Sequence, residues 1–273
     1  LVIAIICFIT FPALVYAATS PGLGIANSFA ILSSTYTNTT GGTTLNGDLG
    51  YTTGPSTAPT VNGTTHAADG TYTQAGIIQG SALSSLNSQP CSFNFAPGAI
   101  DLASDTTHGP VGVYTPGVYC ITGSADIGGG GTITLTGAGT YIFRMDGALT
   151  SSANSVVSLA SGASHCNVWW TPTAATTLGA NSTFVGTDIS PAGIAIGSTV
   201  TWLGRALAFG GTVSTVSDTI SVGSCGLAGT STSPTISEDK TVKNILIATL
   251  AIGLVGSIYL GRTRKSVGEV KTV

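Results

Sequence analysis

Residues 177–186 and 195–204 are two copies of one line. Thr177-Leu178-Gly179-Ala180-Asn181-Ser182-Thr183-Phe184-Val185-Gly186 is answered eighteen residues later by Ala195-Ile196-Gly197-Ser198-Thr199-Val200-Thr201-Trp202-Leu203-Gly204. Leu178 falls on Ile196, Gly179 on Gly197, Thr183 on Thr201, Phe184 on Trp202, Val185 on Leu203 and Gly186 on Gly204. A partial third line, residues 212–220, follows. A unit this short cannot bury an apolar face alone and must stack on its neighbours, the sequence mark of a solenoid. Its length suits one coil of a three-sided β-helix, with a short strand on each side and Gly, Asn or Ser at the corners.

Composition decides between an ordered solenoid and a disordered Thr/Ser/Gly-rich chain. Charged residues are only 7% of the chain, but the apolar fraction is 42% and the net charge is −3. Disorder goes with few apolar residues and high net charge, so an ordered, mainly β body is expected. Between Ala18 and Asp239 the only positive residues are Arg144 and Arg205. A mildly acidic body of this kind argues against nucleic acid as a partner.

The ends of the chain read differently from its body. Leu1 to Val15 is almost wholly apolar, and Val15-Tyr16-Ala17 offers small residues for a cut after Ala17. Residues 1–17 therefore read as a secretory signal peptide whose start precedes Leu1; a retained N-terminal anchor is the other reading. The β-helix domain spans 18–226, a polar linker 227–241, a membrane anchor 242–261 and a basic cytoplasmic tail 262–273. The anchor rests on the apolar run Ile245 to Leu260, and its orientation on Arg262, Arg264 and Lys265, which place the body outside the cell. A buried core helix, or a sorting signal that is cut, is the other reading of this segment. The expected location is the extracellular face of the membrane, or the medium if the tail is removed.

Cys91, Cys120, Cys166 and Cys225 remain after cleavage. An even count in an exported chain suggests two disulfides, for which three pairings exist. Sequential pairing, Cys91 with Cys120 and Cys166 with Cys225, is the simplest. No pair has metal-ligand spacing, so neither a metal nor any other cofactor is expected. From Asp69 to Ser88 the apolar residues Tyr72, Ala75, Ile78, Ala82, Leu83 and Leu86 follow the helical period, with Asp69 as N-cap and Pro90 as a stop. This one-sided helix is expected to cover a flank of the β-helix.

Several stretches resemble the ice-binding-like family. Gly24-Ile25-Ala26-Asn27-Ser28-Phe29-Ala30-Ile31-Leu32 and Leu45-Asn46-Gly47-Asp48-Leu49-Gly50 are similar to its opening. Gly117-Val118-Tyr119-Cys120, Gly139-Thr140-Tyr141-Ile142-Phe143 and Cys166-Asn167-Val168-Trp169-Trp170 resemble its middle. Phe184-Val185-Gly186-Thr187 and Leu203-Gly204-Arg205-Ala206-Leu207-Ala208 resemble its end. The resemblance implies a discontinuous right-handed three-sided β-helix, all-β apart from one long α-helix alongside, whose first strands interleave with the last coils. It also implies that the partner is ice or ordered water; the carboxylates are scattered and His66, His108 and His165 isolated, so no enzyme is expected.

Ice adsorption asks for a flat, rigid, uncharged face. Thr and Ser supply hydroxyls that anchor water, while Thr methyls and Ala exclude disordered water. Candidates for such a face are Thr173, Thr176, Thr177, Ser182, Thr199, Thr201, Thr212 and Thr215, with Thr219 beyond them; Thr173-Ala174-Ala175-Thr176 resembles a pattern on the ice face of some family members. Each Thr taken singly is also what any strand favours.

Two other classes fit parts of the sequence. A polysaccharide lyase or hydrolase needs paired carboxylates or a Ca²⁺ cluster, and Asp101 with Asp105 is the nearest pair. A surface adhesin or structural β-helix without ice contact fits the membrane tail equally well. Surface glycans are possible partners through Trp170 or Trp202. Asn38, Asn62 and Asn181 head glycosylation patterns.

Overall fold

A computed structural model describes residues 17–225. The expected signal peptide up to residue 16, the linker, the membrane anchor and the basic tail lie outside the described residues. Among the described residues twenty strands, every pairing parallel, wind into a coil with three sides. The eighteen-residue repeat is the pairing register itself: Thr177 sits beside Ala195, Thr183 beside Thr201, Phe184 beside Trp202 and Gly186 beside Gly204. Eighteen residues thus make one turn of the coil, and like types stack because they occupy one environment.

Three sides are distinguishable by pairing. Face A stacks Ala125–Ile127, Leu149–Ser151, Thr176–Leu178, Ile194–Ile196, the end of Thr201–Thr215 and the second half of Phe29–Asn38. Face B stacks Thr132–Thr136, Val156–Ala160, the starts of Thr183–Ile189 and Thr201–Thr215, then Thr219–Ser221, Thr44–Asn46 and Thr60–Val61. Face C stacks Gly117–Ile121, Tyr141–Met145, Val168–Pro172, later parts of the two long strands, Phe29–Ser33, Asp48–Tyr51 and Thr65–Ala67. Where the long strands cross from face B to face C, Gly186 and Gly204 hold φ of 107° and 153°. A Cβ on Gly204 would collide with the Gly186 carbonyl, so glycine is required at that corner.

The interior is filled by aromatic and β-branched side chains, one set per turn. Tyr119, Phe143, Trp170, Phe184 and Trp202 follow one another with ring centroids 5.1, 4.3, 5.2 and 4.9 Å apart. Each buried indole N–H has a partner: Trp170 Nε1 donates to Val185 O and Trp202 Nε1 to Gly186 O, both at 2.9 Å, which removes the cost of burying it. Both indoles are closed to solvent, so neither offers a platform for a sugar.

The connectivity is interrupted, as the family resemblance implies. Residues 29–67 form the coils at one end of the rod. The helix α1, Gly70–Asn87, then carries the chain back along face C, and residues 91–221 build coils that return to meet the first strands. Phe29–Asn38 lies between Thr201–Thr215 and Asp48–Tyr51. Asp69 caps α1, accepting from Tyr72 N at 2.8 Å, and the helix buries Tyr72, Ala75, Ala82 and Leu86 in a cluster with Leu32, Val118, Ile142, Trp169 and Leu207. Arg144 Nη1 donates to Asn87 O (2.6 Å) and Gln89 O (3.0 Å). A cation there meets the unpaired carbonyls at the helix C-terminus. The disulfides are Cys91–Cys120 and Cys166–Cys225.

Candidate functional site

Face C is roofed by α1, so among the described residues faces A and B are the open sides. Alternate residues of a strand point out, and the register turns those residues into columns. On face B the outward column nearest the A–B corner reads Thr132, Val156, Thr183, Thr201, Thr219, Thr44, Thr60. Six of its seven positions are threonine, on strands about 4.7–4.9 Å apart. Thr60, Thr132, Thr183, Thr201 and Thr219 are exposed, while Thr44 and Val156 are half-buried.

These hydroxyls are free. Among the described residues none of the six threonines makes a side-chain hydrogen bond, whereas Thr134 and Ser158 in the next column bond each other at 3.0 Å. In that column Asn62 Nδ2 donates to Asn46 Oδ1, and Asn46 Nδ2 to Ser221 Oγ, both at 2.8 Å. Laterally bonded groups at both ends of that column thus stand beside a row of unengaged hydroxyls and methyls. Such a surface can hold water at fixed spacing through the hydroxyls while the methyls shed disordered water.

Charge is kept away from it. The body carries eight Asp and two Arg between residues 17 and 225 and no Lys or Glu. Arg205 is buried and donates to Asn27 O and Asn27 Oδ1, both at 2.8 Å. Asp188 and Asp218 are buried. Asp48 accepts from Thr64 N, and Asp69 from Tyr72 N. Asp101 caps its own turn, accepting from Ala103 N, Ser104 Oγ and Gly128 N. Asp105 is bonded to His108 Nδ1 at 2.7 Å; burial alone would raise its carboxyl, but the hydrogen bonds from His108 and Thr107 together hold it below the usual range. Asp101 and Asp105 are therefore turn caps, not converging carboxylates. No charged residue stands in either outward column of face B, while face A carries Asp101 and Asp126 at one end.

The sequence-level candidates scatter over this geometry. Thr201 and Thr219 belong to the face B column. Thr199 sits at the corner between faces A and B. Thr177 and Thr212 point outward on face A, and Thr173 is exposed in the turn that leads into it. Thr176, Ser182 and Thr215 are corrections: all three are buried and cannot meet a surface ligand. Thr176 shares the inward parity of Leu178. Ser182 Oγ donates to Gly179 O at 2.7 Å inside the corner. Thr215 Oγ1 bonds Tyr36 at 2.8 Å and Asn38 at 3.0 Å. Thr44, Thr60, Thr132 and Thr183 were missed. Thr183 was within reach, because the repeat aligns it with Thr201 one place before the core pair Phe184 and Trp202. The other three join the column only through pairing between distant segments.

His165 Nε2 lies 3.3 Å from Cys166 Sγ and 3.6 Å from Cys225 Sγ. Those sulfurs are joined in a disulfide and have no thiolate to give a metal. Burial, then the nearby Arg205, holds the His165 imidazole below its ordinary pKa.

The family model described as ice-binding-like matches residues 31–221, most of the chain. The chain belongs to the ice-binding-like family. An ice-binding protein of Nostoc sp. (strain HG1) is 29% identical over 222 residues, 78% of each chain. One of Flavobacterium frigoris (strain PS1) is 29% identical over 199 residues, 68% of this chain and 71% of the relative. Among solved structures, the ice-binding protein of the Antarctic ascomycete Antarctomyces psychrotrophicus superposes with a TM-score of 0.67 at 27% identity, over 76% of this chain and all of that one. Membership of the ice-binding-like family places the chain among binding proteins rather than enzymes, and its disulfides accord with an exported body.

Proposed function

We propose that this chain adsorbs to ice through face B and so limits crystal growth and recrystallisation. The observation that carries the reading is the column Thr132–Val156–Thr183–Thr201–Thr219–Thr44–Thr60: uncharged and with its hydroxyls unengaged. Similarity to ice-binding proteins of Nostoc and Flavobacterium frigoris supports it. Thr199 and Thr201, inferred from sequence, stand on or beside this surface. Thr177 and Thr212 belong to a second open face that we leave outside the principal contact.

The sequence also supports attachment to a membrane. Ile245 to Leu260 is apolar and is followed by Arg262, Arg264 and Lys265, the pattern of an anchor with its basic side in the cytoplasm. An ice-adsorbing body held this way would fix a cell to ice; a surface adhesin without ice contact is the competing reading of the same tail.

Nanolitre osmometry tests the proposal. The purified protein is expected to facet growing crystals and to hold freezing below melting, and Thr201→Tyr to lose most of that gap with its fold intact by circular dichroism. Round, unfaceted crystals at high protein concentration would reject ice adsorption and leave the adhesin reading.

A further inference from the structure

The corner between faces A and B is built from residues with left-handed backbone. Asn154, Asn181, Thr199 and Ser217 have φ of 63°, 58°, 60° and 58°, and they lie on successive rungs: Asn154 N donates to Ala180 O, Asn181 N to Ser198 O and Thr199 N to Val216 O. Asn and Gly adopt this conformation readily, but for a β-branched residue it is a steric outlier. Thr199 is the one β-branched member of the column among the described residues. Asn181 and Ser217 on the two neighbouring rungs show that the corner does not itself demand threonine. A strained residue of this sort persists only when something else fixes it, and such residues cluster at functional sites.

The side chain shows what is retained. Thr199 Oγ1 donates to Asn181 Oδ1 on the rung before it and lies 2.6 Å from Ser198 O. With the hydroxyl engaged along the ridge, the methyl is the part of this exposed side chain not tied to the protein. The residue is exposed and stands two places before Thr201. Ser217 repeats the arrangement one rung on, bonded to Thr40 Oγ1 at 3.0 Å and donating to Gly41 O at 2.7 Å.

We propose that Thr199 is an ice-contacting residue that carries the adsorbing surface around the ridge, and that its side chain is kept at the expense of backbone strain. The inference rests on the ice-binding reading of face B and deepens it. It predicts that stability and activity move in opposite directions. Thr199→Asn and Thr199→Gly relieve the left-handed strain, so Tm is expected to rise by about 2–4 °C. Thermal hysteresis on the same samples is expected to fall several-fold, because the fixed methyl is gone. A variant with raised Tm and the parent's full hysteresis would overturn the proposal, since the strain would then serve no contact with ice. An unchanged or lower Tm in both variants would also overturn it, by showing that no strain is held there. Thr201→Tyr separates this from the wider reading: retained hysteresis in that variant moves the principal face elsewhere, and a parent without hysteresis removes both claims.

Discussion

Asp188 is the least conventional residue in the molecule. It lies on face C beside Trp170 and Ala206, fully buried, and neither carboxyl oxygen has a hydrogen-bond partner. Its polar neighbour is Thr176, whose hydroxyl is likewise unpaired. Burial pushes the carboxyl up to about 7; the adjacent Thr176 hydroxyl opposes this, although it does not reach hydrogen-bond geometry with the carboxyl. The folded chain therefore holds this proton more tightly than the unfolded chain, where Asp titrates near its ordinary value of about 4. Stability from this group is fully present below that value and is lost as pH rises from about 4 to about 7. Asp188→Asn, which imitates the neutral acid, is expected to flatten the fall over that range, a change on the order of a few kcal/mol, and urea melts at a series of pH values check it. An unaltered pH profile would mean that the carboxylate finds a partner in solution. At this scale the sequence is only partly legible. Inward parity at Thr176 followed from Leu178. The burial of Thr215 did not, because Tyr36 and Asn38, which bind it, are far away in the chain.

The helix was legible as an element, and the surface it covers was not. Its period, its Asp69 cap and its stop at Pro90 are local signals. That it roofs face C, and so leaves faces A and B open, depends on tertiary packing. Gly76 and Gly80 separate the two effects. A Cβ on Gly76 would collide with the Phe209 ring, whereas one on Gly80 meets nothing within 4 Å. Gly76→Ala is expected to lose about 1–3 kcal/mol through forced displacement of the helix. Gly80→Ala should gain up to about 1 kcal/mol from helix propensity alone. Thermal unfolding of the two variants gives the comparison, and equal effects would show that the helix does not rest closely on Phe209.

At the scale of the whole molecule the eighteen-residue repeat revealed the coil, but over a short stretch only. Earlier turns carry insertions, such as the segment that leads to Cys166, so Gly117, Tyr141 and Val168 stand on consecutive rungs without any visible period. The closing contact between Phe29–Asn38 and Thr201–Thr215 joins the two ends of the described chain and left no trace in local pattern; family resemblance alone implied it. The same distance hid Thr44 and Thr60 from the candidate face. The Cys166–Cys225 bridge, closing a separation of 59 residues, ties the last described residues to the turn before Val168–Pro172. Replacing both cysteines with serine is expected to cost about 2–4 kcal/mol, read as a lower unfolding midpoint; an unchanged midpoint would mean that stacking alone fastens that end.

Face B is the side expected to meet ice. The most direct test is ice-affinity partitioning of the protein beside two bulky variants, Thr219→Tyr on face B and Thr177→Tyr on face A, each confirmed folded. The parent and Thr177→Tyr are expected to enter the growing ice, and Thr219→Tyr to remain in the liquid. Thr219→Tyr entering the ice while Thr177→Tyr is left behind would contradict the assignment and give the contact to face A.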